Sequence, residues 1–163
     1  MKTAIVYFSL NGNTESVANA VAEKLGADVI RLAPKKAFPD SGFKKFLWGG
    51  KSAVMKEKPD LEPYEFDAAK YDRVIIGTPV WASRFTPPIR SFVADNAEAL
   101  KGKRFAAFFC FSGGGADKAS ARLKELLGVR SFDAELVLID PKDKPCDEND
   151  AKLAAFCDTL ADE

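Results

Sequence analysis

A chain of 163 residues, 47% of them hydrophobic, is most simply one domain, large enough to bury roughly two-thirds of its unfolded surface. Basic and acidic residues balance at 24 each, which argues against a nucleic acid or an anionic membrane held by bulk charge. Histidine is absent, which removes histidine triads, histidine metal sites and the commonest general base, so any chemistry here points to a bound cofactor.

The first predicted element, Lys2 to Ser9, is a buried strand that needs no signal peptide to explain its apolar run. The longest apolar stretches, AIVYF and FAAFFCF, are too short to span a bilayer. Asn13 or Thr14 can cap a helix that aligns Val17, Ala18, Val21, Ala22 and Leu25 on one face and stops at Gly26. Asp28 to Leu32 reads as a second strand. Residues 34–66 are less regular, with Ser41 capping a short helix that carries Phe43, Phe46 and Leu47.

Asp72 to Gly77 gives a third strand, followed by a predicted loop from Thr78 to Thr86. Pro87-Pro88 opens a helix with Ile89, Phe92 and Val93 inward. Arg104 to Phe111 is a fourth strand, broken by Ser112 and three glycines, and the next helix presents Ala119, Leu123, Leu126 and Leu127. Phe132 to Ile139 makes a fifth strand. The mixed-sign run Lys142 to Asp150 reads as a solvated connection into a last helix beginning at Asp147. Apolar strands alternating with helices imply a parallel sheet covered on both faces, an α/β doubly wound domain in three layers.

Cys110, Cys146 and Cys157 are odd in number and form no C-x-x-C. Cys110 in an apolar strand and Cys157 on an apolar helix face read as small hydrophobes. No disulfide framework is expected, which favours a reducing, cytoplasmic location.

In such a sheet ligands sit beyond the carboxyl ends of the strands. The loop SLNGNT occupies that place after the first strand. Backbone N–H groups and the dipole of the first helix can hold a phosphate there, Ser9, Asn11, Asn13 and Thr14 can add side-chain bonds, and Gly12 permits close approach. The loop has no lysine or arginine, which suits a single stationary phosphate better than a triphosphate. The third strand runs into TPVWASRFTPP with Trp81 on its loop, and the fourth ends in FSGGGADKA, whose glycines admit a flat ligand.

YFSLNGNTESVA, GTPVWASRFTPPIRSF and FFCFSGGG together resemble the phosphate loop and two isoalloxazine-binding loops of the flavodoxin family, in order along most of the chain. The resemblance implies one flavodoxin-like domain over residues 1–163, a five-stranded sheet of order 2-1-3-4-5, and noncovalent FMN. It implies that Ser9, Asn11, Gly12, Asn13 and Thr14 hold the FMN phosphate. Thr78, Pro79, Val80, Trp81, Ala82 and Ser83 would border the ring, and Phe111, Ser112, Gly113, Gly114 and Gly115 its pyrimidine edge or opposite face.

Competing readings each lack a chemical part. Gly50-Lys51-Ser52 resembles the end of a Walker loop, but Lys45 stands where its first glycine belongs. Lys118 replaces the third glycine of a dinucleotide fingerprint. A phosphatase loop on Cys110 would need an arginine where Ala116 stands, and a receiver domain would need acidic residues where Ser9 and Thr78 stand.

Two functions follow from the resemblance. The first is an electron carrier that passes electrons between redox partner proteins through the flavin. The alternative is an FMN-dependent NAD(P)H oxidoreductase acting on a quinone or another small acceptor. The chain departs from strongly acidic carriers in its balanced charge, and no glycine bend stands in Val80 to Ser83. For the alternative, FKKFLWGGKS offers a lid with Trp48 stacking on substrate and Lys51 near its charge. A satellite helix with Trp48 buried and Lys51 solvated is the simpler expectation. Arg84 can approach the flavin edge, a partner carboxylate or a nicotinamide-nucleotide phosphate, but an exposed arginine is the simpler expectation, and Arg90 reads as lying on the helix surface. Neither nucleic acid nor membrane span is expected, and oligomeric state is left open.

Overall fold

The computed structural model describes residues 1–38 and 50–161. Strand β1 (Thr3–Tyr7) is buried throughout, as a central strand covered on both faces must be. It leads into α1 (Asn13–Leu25), then β2 (Asp28–Arg31). After the irregular segment come β3 (Arg73–Trp81), β4 (Arg84–Phe85), α2 (Pro87–Asp95), β5 (Arg104–Phe111), α3 (Ala116–Leu127), β6 (Glu135–Ile139) and α4 (Asp147–Ala161).

The sheet order is β2-β1-β3-β5-β6, with every neighbouring pair parallel. Because β4 pairs antiparallel with the end of β3, outside this path, the order is the 2-1-3-4-5 expected of the family resemblance. Alternate residues of each strand feed opposite faces. Ala4, Val6, Val74, Ile76, Ala107 and Phe109 face Ile89, Phe92, Ala119 and Leu123 of α2 and α3. Ile5, Tyr7, Ile75, Ala106 and Phe108 face Val17, Val21, Phe156 and Leu160 of α1 and α4. At the centre, a Cβ on Gly77 would lie 2.2 Å from the Phe108 ring, so only glycine lets that ring cross β3.

The expected loop from Thr78 to Thr86 is instead a β-hairpin. Val80 pairs with Phe85 and Trp81 with Arg84 around a two-residue turn. Ala82 and Ser83 both take positive φ, 48° and 57°, as type I′ turns require. The Thr78 hydroxyl holds the hairpin's base, accepting from the Thr86 amide at 3.0 Å and bonding the Thr86 hydroxyl at 3.0 Å.

In the irregular segment, Pro34 bridges Leu61 antiparallel and residues 50–54 are helical. Lys51 in that turn is exposed. Trp48 and the short helix expected after Ser41 lie outside the described residues.

Candidate functional site

Beyond the carboxyl ends of β1, β3 and β5 lies a cleft of about 340 Å³, within the usual size range of small-molecule sites. Its floor at β1 is the loop into α1. Gly12 occupies the helix-cap position at φ 95°, and no side chain caps the helix. The expectation that Asn13 or Thr14 caps it is thus corrected: both lie inside the first turn, buried, with the Asn13 side chain bonded to Lys142 and Asp143 and that of Thr14 to Cys110. Backbone N–H groups in a first helical turn have no intrahelical acceptor, and Gly12, having no side chain, caps none of them. The result is a row of donors at the positive end of a helix dipole, opening on a cleft that Asn11, Asn13 and Thr14 line.

The second wall is the β3–β4 hairpin, through Pro79, Val80, Trp81, Ala82 and Ser83. Trp81 is half-buried, edge-on to Phe8 at 5.7 Å and to Phe38 at 5.2 Å between ring centroids. That aromatic cluster fixes its indole as a wall. The hairpin turn is pinned from behind. A Cβ on Gly115 would lie 2.2 Å from the Ser83 Oγ, and Arg122 of α3 donates to the Ser83 carbonyl. The third wall comes from β5 and its loop, through Phe111, Ser112, Gly113 and Gly114.

Twelve of the sixteen residues singled out from the sequence therefore line one cleft. The other four support it. Ser9 is buried, and its Oγ accepts from the Gly12 amide at 3.1 Å. Gly12 lies under the Lys142 side chain, Thr78 holds the hairpin base, and Gly115 backs the hairpin turn.

Leu10, Gly50, Cys110 and Asp140 also line the cleft, and none of them was singled out from the sequence as a cofactor-binding residue. Asp140 follows β6, at a strand's carboxyl end, which is the one positional cue that pointed to it. It is buried at φ 41°, accepts from Ser112 Oγ at 2.6 Å, and pairs with Lys144 at 2.8 Å. The hydrogen bond to Asp140 raises the Lys144 ammonium's pKa above its ordinary value. Burial pushes the Cys110 thiol up to about 12; a hydrogen bond with Thr14 opposes the rise and Asp140 adds to it. A thiol held neutral by that margin is no nucleophile.

The run Lys142 to Asp150 is not simply a solvated connection. Asn13 Oδ1 accepts from the Lys142 amide at 2.8 Å, and Asn13 Nδ2 donates to Asp143 Oδ2 at 2.8 Å. Lys142 Nζ donates to the Asn11 carbonyl at 3.3 Å. A loop that contains no cation of its own thus receives one from the far end of the chain.

The site suits a flat molecule carrying one phosphate: donors at one end, an indole and a phenyl group on separate walls, and backbone polar groups between. No group of histidine, cysteine, aspartate or glutamate side chains among the described residues could hold a metal ion. A phosphate-ended aromatic ligand in a 2-1-3-4-5 α/β domain is the defining arrangement of a flavodoxin-like protein. A flavodoxin family model matches residues 2–139, and the chain belongs to the flavodoxin family.

Solved structures share the fold. A flavoprotein of Lactobacillus acidophilus NCFM in complex with FMN is 20% identical with a TM-score of 0.70, covering 87% of this chain and 95% of that one. The two-electron reduced flavodoxin of Megasphaera elsdenii is 18% identical with a TM-score of 0.60, covering 99% of each chain. An NADH:FMN oxidoreductase in its apo form is 16% identical with a TM-score of 0.62, covering 99% of this chain and 89% of that one.

Proposed function

We propose that this chain binds FMN noncovalently and relays electrons through it from a donor to an acceptor. The observation that carries the reading is the uncapped first turn of α1 opening on a cleft walled by Trp81 and Phe111. FMN supplies the redox chemistry when bound. This chain's residues do the rest. The amides of the first turn of α1, with Asn11, Asn13 and Thr14, hold the phosphate, and Lys142 adds charge beside them. Pro79 to Ser83 border one side of the ring, and Phe111 to Gly114 the other.

Within that function the first reading is a carrier between redox partner proteins. Among the described residues, the two ionisable cleft-lining side chains are occupied or inert: Asp140 is bonded to Ser112 and Lys144, and Cys110 stays protonated. A carrier asks for no acid or base at the site.

A second reading is an NAD(P)H oxidoreductase, in which the nicotinamide gives up a hydride, two electrons with one proton, and a quinone or other small acceptor is then reduced. It is favoured by three arginines at the hairpin that pair with no carboxylate among the described residues. Anaerobic mixing of the FMN-loaded protein with NADPH separates the two. Bleaching of the flavin within seconds supports the oxidoreductase. An unbleached flavin that a separate flavoprotein reductase does reduce supports the carrier. Protein that takes up no FMN contradicts both.

A further inference from the structure

Three arginines are associated with three successive residues of the hairpin, Ser83, Arg84 and Phe85. Arg122, from α3, donates to the carbonyl of Ser83. Arg84 itself stands on β4, opposite Trp81. Arg90, from the first turn of α2, lies over the ring of Phe85 with 4.7 Å between the guanidinium carbon and the ring centroid. All three side chains are half-buried. Ser83 and Trp81 line the flavin cleft, so the group sits directly behind its rim.

Arg31, Arg73 and Arg104 each pair with a carboxylate, whereas Arg84, Arg90 and Arg122 pair with none among the described residues. Burial first, and the nearby Arg84 second, lower the pKa of Arg90. Like charges held together in partly desolvated surroundings repel, and an anion bound between them relieves that cost. Guanidinium forks match phosphate oxygens bidentately. Anchored at the adjacent residues 83–85, they suit a phosphate or pyrophosphate better than the spread carboxylates of a protein surface.

We infer that Arg84, Arg90 and Arg122 form a phosphate subsite for a nucleotide that reaches across the hairpin rim into the cleft, with the chemistry of a nicotinamide dinucleotide. The inference rests on the flavin reading of the cleft and names the donor class of its second form. Arg122 both holds Ser83 and faces the anion; Arg84 and Arg90 supply most of the binding charge.

The test is calorimetric titration of the FMN-loaded protein with 2′,5′-ADP and with inorganic pyrophosphate. Both are expected to bind, more weakly as salt is raised from 50 to 500 mM. Arg84→Gln and Arg90→Gln are expected to weaken 2′,5′-ADP by about tenfold each, with FMN affinity unchanged. Arg84→Gln leaves the packing over Phe85 intact, so it reads the charge even where Arg90→Gln disturbs the helix. The same variants should slow bleaching by NADPH while photoreduction proceeds normally. Absence of binding to the parent protein, or equal affinity in the variants, overturns the subsite and leaves an acidic protein partner as the arginines' occupant. Failure to take up FMN is seen separately, as colourless protein, and strikes the cleft reading instead.

Discussion

The side-chain amide of Asn13 clasps the loop at Lys142 across 129 residues of chain, accepting from the Lys142 amide at 2.8 Å and donating to Asp143. This joins the phosphate loop to the connection between β6 and α4. Asn13 is buried, so both partners lose their bonds when it is truncated. Asn13→Ala is expected to cost about 1–3 kcal/mol in urea unfolding, the usual penalty for leaving buried polar groups unpaired. A variant as stable as the parent would show that the clasp contributes nothing.

Lys142 gives a separate test of the loop's electrostatics. Its ammonium lies beside Gly12 and Asn11, where a phosphate would sit. The side chain is exposed, so its removal should spare the fold. Lys142→Gln is expected to weaken FMN several-fold at low salt and leave riboflavin, which has no phosphate, unaffected. Equal losses for the two ligands would mean that Lys142 acts only through loop packing.

The hairpin carries strain that substitution can remove. Ala82 and Ser83 hold left-handed backbone, costing roughly 1–2 kcal/mol for each residue with a side chain. Ser83→Gly should raise thermal stability, and Ala82→Asn with it should raise it further, toward the Asn-Gly pair such turns prefer. Gly115→Ala should do the reverse, because its Cβ meets Ser83 Oγ at 2.2 Å and the Ser83 Cα at 2.9 Å. A lower melting temperature for Ser83→Gly would contradict the turn assignment.

These two features mark where reading the sequence stopped. The five main strands were legible as apolar runs because burial on both faces leaves little room for polar residues. The hairpin was hidden because its turn is Ala-Ser instead of the Asn-Gly that normally betrays one. Asn13 was legible as a site residue but its partner was not, since a bond spanning 129 positions leaves no local trace. Asp140 and Cys110 reach the cleft through strand register alone. Arg90 looked like a surface residue because nothing in PPIR announces the Phe85 ring beneath it.

Thiol chemistry should divide the three cysteines. Cys146 is exposed, while Cys110 and Cys157 are buried. Burial raises the pKa of both buried thiols, that of Cys110 to about 12. Native protein is expected to release one equivalent from a disulfide reagent rapidly, and unfolded protein three. A second fast thiol that persists in Cys157→Ser would place Cys110 in contact with solvent and refute its inert role.

Tyr7 predicts a loss of stability in alkali. Its hydroxyl donates to Glu15 at 3.1 Å, and burial, then the Glu15 charge, push its pKa from 10 up to about 12. The fold favours the neutral phenol, so this contribution is complete below about pH 10 and disappears as pH rises through about 12. Between pH 8 and 11.5 the parent should lose more urea stability than Tyr7→Phe. Parallel profiles would remove Tyr7 as a cause.

The central claim is that a phosphate-ended flavin lies in the cleft with its phosphate on the first turn of α1. Fluorescence titration of flavin-free protein with FMN and with riboflavin tests it most directly. The account expects FMN to bind at least tenfold tighter, and Thr14→Leu to erase most of that advantage. Equal affinity for the two flavins, or binding of neither, would contradict it.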